Sequence, residues 1–231
     1  VNTAATSQLI AAAREAGVKH VLLISSLAAR RPDISAYAAS KYGGEQACRE
    51  EAGAAMGWDI LRPPAVYGPG DTQVLTFFRL LQKGIALMPG GRDARLSLIY
   101  VDDLARAIQA WLNTGTTTQG VYEIDDGKDG GHSWPEIMQT GAAELGVNPR
   151  YIVPPYSVLM SYACAAQAIA RITGKPPLIS PGKVRELTCT DWVCRNWEAY
   201  RDSFGFTPET DFATGLRCTL ASYRDKGWLA R

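Results

Sequence analysis

Lys19-His20-Val21-Leu22-Leu23-Ile24-Ser25-Ser26 decides how the chain is read. The apolar run has the pattern of a buried parallel strand, and the two hydroxyls come where the strand opens into a loop. In open α/β sheets, ligands bind at the carboxyl ends of the strands. Ser26, with Ser25 before it, therefore stands where a reacting group belongs. His20 lies ahead of the apolar run, where a strand-entry or packing role outweighs an acid–base one.

Working outward, Thr3 to Ala16 is Ala-rich and stops at Gly17, a fitting residue for a helix C-terminus. Ala28 to Asp33 is a polar loop expected to border the pocket. A long helix is expected from Ser35 to Met56, and it carries Tyr37-Ala38-Ala39-Ser40-Lys41. Residues four apart share a helix face, which sets the Tyr37 hydroxyl beside the Lys41 ammonium. A phenol titrates near ~10, and an adjacent cation lowers that value. A tyrosine tuned in this way can exchange a proton with a substrate oxygen near neutral pH. Of the ten tyrosines, Tyr37 alone has a lysine four residues on. Alone, that pattern describes an ordinary surface helix, so its neighbours must decide. Gly43 and Gly44 each cost a helix ~1 kcal/mol against Ala, which implies close packing on another element. Trp58 to Arg62 is the next strand, and it runs into Pro63-Pro64-Ala65-Val66-Tyr67-Gly68-Pro69-Gly70, a rigid loop at the same end of the sheet.

Bulk properties narrow the class. The 231 residues suffice for one large domain, or one with a small cap, and 46% of them are hydrophobic, an ordinary globular share. A net charge of +1 without a dense basic run gives no footprint for nucleic acid. No apolar stretch reaches the ~20 residues of a membrane span, and no signal peptide is visible. The five cysteines form no Cys-x-x-Cys and are read as reduced thiols of a cytoplasmic protein. His20 and His132 are far apart and near no cysteine pair, so no metal site is expected.

Further along, Asp71 to Lys83 reads as an amphipathic helix closed by Gly84, Leu96 to Val101 as a strand, and Asp102 as the N-cap of the helix after it. Arg92 and Arg95 could meet an anionic group, with solvated arginines at least as well supported. Val121 to Ile124 is expected to be the last sheet strand. Ser133-Trp134-Pro135-Glu136 has the signature of a capped helix start, with His132 a loop residue. Tyr151 to Pro154 looks like a cap strand. Ser157 to Ile172 is apolar and small, and reads as a buried or pocket-lining helix ending at Gly174-Lys175-Pro176-Pro177. An interfacial role is disfavoured because its sparse charge gives no basic face. Trp192, Trp197, Phe204, Phe206 and Trp228 are read as packing anchors.

Taken together, Ile24-Ser25-Ser26, Tyr37-x-x-x-Lys41, Arg62-Pro63-x-x-Val66-Tyr67-Gly68-Pro69 and Val101-Asp102-Asp103 resemble the extended short-chain dehydrogenase/reductase superfamily, of the NAD(P)-dependent epimerase/dehydratase type. Asn2-x-x-Ala5-Thr6 is similar to the family's Asn-x-x-Gly-Thr helix start. The resemblance is good to about Asp126 and looser beyond. It implies a Rossmann-like, doubly wound parallel α/β sheet with a small, mostly helical C-terminal cap. Residues 1–126 would be the remaining part of the NAD(P)-binding domain carrying the catalytic residues, and 127–231 mainly the substrate-binding cap. The family's Gly-x-x-Gly-x-x-Gly turn is absent from these residues, which suggests an N-terminally truncated sequence, with poor NAD(P) affinity and an open sheet edge.

The resemblance also implies roles. Ser26 would hydrogen-bond the reacting oxygen, Tyr37 pass the proton, and Lys41 hold the cofactor ribose and lower the Tyr37 pKa. Pro63, Pro64 and Val66 would form the wall under the nicotinamide, and Ser25 would be a further cofactor contact. Ser25 competes with Ser26 for the hydroxyl role, and Ser26 better matches the family position. The expected cofactor is NAD or NADP, the partner a small-molecule substrate, and a homodimer is allowed for. Ala65 stands where many nucleotide-sugar enzymes have a sugar-contacting Asn, which favours an apolar, sterol- or flavonol-like alcohol or ketone. A nucleotide-sugar epimerase or dehydratase and a non-catalytic nucleotide-binding accessory subunit are the alternatives.

Overall fold

The computed structural model describes residues 2–174, 177 and 179–230. The apolar helix read from Ser157 to Ile172 ends as expected, with Gly174 as its C-cap, and Lys175 and Pro176 of the run that closes it lie outside the described residues. From the N-terminus come α1 (Asn2–Glu15), β1 (His20–Ile24), α2 (Ala36–Ala52) and β2 (Gly57–Arg62), with a 3-10 turn at Leu27–Arg30. β3 (Ala65–Tyr67), α3 (Leu75–Gln82), β4 (Ile85–Leu87), β5 (Arg95–Leu96), β6 (Leu98–Tyr100), α4 (Val101–Thr114) and β7 (Val121–Glu123) follow. The remainder is β8 (His132–Ser133), α5 (Trp134–Leu145), β9 (Arg150–Ile152), α6 (Tyr156–Thr173), α7 (Pro181–Thr188), β10 (Asp191–Trp192), α8 (Trp197–Phe204) and α9 (Phe212–Asp225).

β1, β2 and β7 form a parallel sheet in the order β1-β2-β7. Side chains alternate between the faces of a strand, and both faces are covered. Val21, Leu23 and Trp58 pack with Ile10, Cys48 and Met56 on the α1–α2 side. Leu22, Ile24 and Leu61 pack with Trp111, Tyr200 and Phe204 on the α4–α8 side. This two-sided burial explains why β1 is apolar at consecutive positions. The glycine pair of α2 meets α1, as its spacing implied. A Cβ at Gly43 would lie 2.5 Å from the Thr3 hydroxyl oxygen and one at Gly44 would lie 3.3 Å from that of Thr6. A third core joins β3, β6, α3, α5 and α9.

Several elements depart from the sequence reading for definable reasons. α2 stops at Ala52 because Gly53, at φ +56°, leaves the helix. The Asp71 carboxylate accepts from the backbone of Gln73 at 2.7 Å, which makes a turn, and α3 starts only at Leu75. The Leu96–Val101 strand is two strands. Ser97 turns inward, donates to Asp125 at 2.5 Å and accepts from the Cys194 backbone at 3.0 Å, so β5 joins β8 and β10 while β6 joins β3. Asp102 is not the N-cap of α4, since Tyr100 occupies that position and Asp102 is exposed in the first turn. Its neighbour Asp103 is the buried carboxylate, accepting from the backbones of Glu209 and Thr210 at 3.2 and 3.1 Å. His132 is no loop residue. It is a buried strand position with Nε2 2.6 Å from Asp126 and its ring against Phe212. Nor is α6 buried, for Ala163 is its one buried residue, though Gln167 lines a cavity as the alternative reading of this helix expected.

Candidate active site

The end of β1 is pinned to the loop after β2. The Ser25 N–H donates to the Leu61 carbonyl at 2.7 Å and the Leu27 N–H to that of Pro63 at 2.8 Å. These bonds carry the strand pairing into the loops and fix Ser26 beside Pro63 and Pro64. The Ser26 hydroxyl caps the 3-10 turn by accepting from Ala28 N at 3.2 Å. That bond leaves the hydroxyl's own proton for donation.

α2 starts at Ala36 with Ser35 as its N-cap, accepting from Ala38 N at 3.0 Å. Tyr37 is therefore in the first turn, at the mouth of the sheet, and its side chain is 48% exposed. Ser25, Ser26, Tyr37, Pro63, Pro64 and Val66 all line one cavity of about 940 Å³. Lys41 lines a second cavity of about 160 Å³, which shares Ile24 and Ser25 with the first. The Lys41 ammonium donates to the Ile24 carbonyl at 3.3 Å. The structure thus brings the expected serines, tyrosine and loop wall together at one cavity, whereas Lys41 lines the smaller one and not this one.

Two further residues organise the site. Glu45 is fully buried and forms a two-pronged ion pair with Arg62, with Nε and a terminal guanidinium nitrogen at 2.8 and 2.6 Å from its oxygens. The Ser25 hydroxyl donates to the same carboxylate at 2.5 Å. One carboxylate thereby ties β1, α2 and β2 together at the mouth of the sheet. The sequence held a signal for it, because Glu45 follows Lys41 by four residues and Tyr37 by eight, on one helix face. Committed to Glu45, the Ser25 proton is spent, which favours Ser26 as the donor to a substrate.

Tyr67 also lines the cavity, but burial, then Asp126 and Asp103, pushes its phenol far up. It stays protonated, and the half-exposed Tyr37 is the better placed of the two to exchange a proton. The opposite wall comes from the C-terminal half, with Trp134, Met138, Trp192 and Phe212 among the apolar side chains and Arg95, Lys183 and Arg185 among the basic ones. The sequence reading missed α7 in that wall, although Ser180 at its N-cap and Pro181 in its first turn are helix-start signals. Among the described residues no cluster of His, Cys, Asp or Glu could hold a metal ion, and the cysteines are free thiols.

The NAD-dependent epimerase/dehydratase family model matches residues 1–124. The chain is 36% identical over 223 residues to a protein named ceramide reductase from Caulobacter vibrioides, covering 95% of this chain and 67% of the relative. A 4-epimerase of N-acetyl-α-D-glucosaminyl-diphospho-undecaprenol from Escherichia coli O157:H7 is 24% identical over 241 residues, covering 95% and 70%. Among solved structures, UDP-glucose 4-epimerase of Thermus thermophilus in complex with NAD superposes with a TM-score of 0.67 at 21% identity, over 97% of this chain and 70% of that one. The fold is that of the Rossmann-like epimerase/dehydratase enzymes, and the chain belongs to the NAD-dependent epimerase/dehydratase family.

Proposed function

We propose that this protein is an NAD(P)-dependent oxidoreductase that interconverts a secondary alcohol and a ketone on an apolar substrate. The carrying observation is the single cavity lined by Ser26 and Tyr37 on one side and by Trp134, Met138 and Phe212 on the other. Residues 1–126 would supply the cofactor-binding and catalytic side, and 127–231 the substrate side. The relative named ceramide reductase supports a long-chain lipid as the substrate class.

The residues present fit the nicotinamide end of the cofactor. Pro63, Pro64 and Val66 offer a rigid flat wall, and the Lys41 ammonium at the adjoining smaller cavity, with three donors and one of them on Ile24, would have others for ribose hydroxyls. When bound, NAD(P) supplies the hydride acceptor or donor. Ser26 would donate to the substrate oxygen and hold it against Tyr37. Tyr37 would move the proton at that oxygen. The apolar wall would exclude water from the reacting carbon.

A second reading is a nucleotide-sugar epimerase or dehydratase. It is favoured by Arg95, Lys183 and Arg185 at the cavity, which could meet a diphosphate. Ala65, with no hydrogen-bonding side chain, counts against it. The test is to incubate the protein and cofactor separately with a long-chain ketone and with UDP- or dTDP-sugars, following reduced nicotinamide. Oxidation of NAD(P)H by the ketone supports the first reading, and transient cofactor reduction by a sugar nucleotide supports the second. Turnover unchanged in Tyr37→Phe would remove both and leave a nucleotide-binding accessory role.

A further inference from the structure

We propose that α6, with the strand before it, docks the protein on an anionic lipid surface. Of the thirteen large apolar side chains exposed among the described residues, eight fall between Tyr151 and Ile172. Scattered single apolar residues are normal on a surface, but a contiguous set marks an interaction face. Val158, Tyr162, Ala165, Ile169 and Ile172 recur at helical spacing and are all exposed, with Ile172 at 86%. The other side of the helix, with Ala163 buried, packs on α7. α6 is thus apolar on the side turned away from the protein as well as toward it. Among the described residues no helix is long and apolar enough to cross a membrane, so this one would lie on the surface.

Charge selects a lipid surface over other occupants. Leu145 to Arg185 contains no Asp or Glu and five basic residues, Arg150, Arg171, Lys175, Lys183 and Arg185. The whole chain has a net charge of only +1, so the rest of the molecule is net negative. The apolar face therefore lies in a basic stretch of the chain, and although Lys183 pairs with Glu186 and lines the cavity with Arg185, Arg150 and Arg171 are exposed at either end of the face. Apolar area flanked by basic residues, with tyrosines at the margin, is the pattern that binds the headgroup region of anionic bilayers. The basic face that α6 lacks by itself is supplied by its flanks. A second copy of the chain, equally basic here, would bring like charges together. Gln167 of α6 and much of α7 line the 940 Å³ cavity, so docking would set the cavity beside the lipid. That consequence, unlike the docking, rests on the apolar-substrate reading.

The experiment is flotation of the purified protein with vesicles of phosphatidylcholine alone and of phosphatidylcholine with phosphatidylglycerol, which reads binding without turnover. Binding is expected to the anionic vesicles and to weaken with added salt. The Ile169→Glu/Ile172→Glu double variant should bind more than about tenfold more weakly with an unchanged melting temperature, and Arg171→Glu should lower binding less. Absence of flotation, or flotation indifferent to the double substitution, would overturn the proposal. So would a dimer in sedimentation that the same substitutions disperse while vesicles bind nothing, since a second copy would then own the face.

Discussion

The mouth of the sheet and the α6 cap invert the usual placement of side chains. At the sheet mouth a carboxylate and a guanidinium are buried, with Glu45 wholly inaccessible and the Arg62 side chain 14% exposed. On α6 the apolar side chains are outside. Burying charge costs several kcal/mol unless the pair is fully hydrogen-bonded, so the Glu45–Arg62–Ser25 cluster fixes a geometry at some expense of stability. Exposing apolar area costs solubility, and is tolerated where something covers it. One region is built to hold its shape, the other to meet something else.

The largest effect is expected from breaking the first region. Glu45→Ala leaves the largely buried Arg62 without its partner and should cost about 3–5 kcal/mol in denaturant unfolding, with Glu45→Gln milder. A loss below about 1 kcal/mol would place this pair with weak surface bridges and dissolve the contrast.

A smaller effect belongs to the cap's own capping box. Ser133 accepts from the Glu136 backbone at 3.3 Å and Glu136 accepts from that of Ser133 at 2.7 Å. Ser133→Ala should lower stability by ~1 kcal/mol. The Ser133 backbone donor, with help from Lys128, holds the Glu136 carboxyl at about 2, down from 4.5. A depressed carboxylate stabilises the fold above its unfolded pKa. That contribution should therefore fade as pH falls from 4.5 toward about 2, and Glu136→Gln should flatten this part of the stability–pH curve.

The smallest effect is expected on α6. Ile169→Glu, at a position 60% exposed, should change unfolding stability by less than about 0.5 kcal/mol. A large loss there would mean the helix is packed after all, and that the two regions are alike.

The sequence revealed the first region more fully than the second, for physical reasons. Strand periodicity and a Tyr-x-x-x-Lys spacing are local, and they located β1, β2, α2 and the cavity residues Ser26 and Tyr37. Gly43 and Gly44 announced a close neighbour because only a missing Cβ allows one. Glu45 shares a helix face with Tyr37 and Lys41, but that spacing does not mark it as buried, which shows only once its partner Arg62, seventeen residues away, is seen beside it. Asp102 was misassigned because the helix starts at Val101, whose apolar side chain continues the strand pattern and hides the boundary, with Tyr100 at the N-cap. Of the two readings of α6, buried or pocket-lining, only the second holds, at Gln167, because an apolar composition states that a surface avoids water, not whether protein or another phase covers it.

The claim on which the rest depends is that Tyr37 moves a proton in a cavity shared with Ser26. The most direct measurement is the turnover of Tyr37→Phe with the ketone or alcohol that supports the best wild-type rate, alongside its melting temperature. The account predicts a fall in turnover of about 10²-fold or more with melting unchanged, because the hydroxyl lies at a half-exposed site. Wild-type turnover in a folded Tyr37→Phe protein would contradict it.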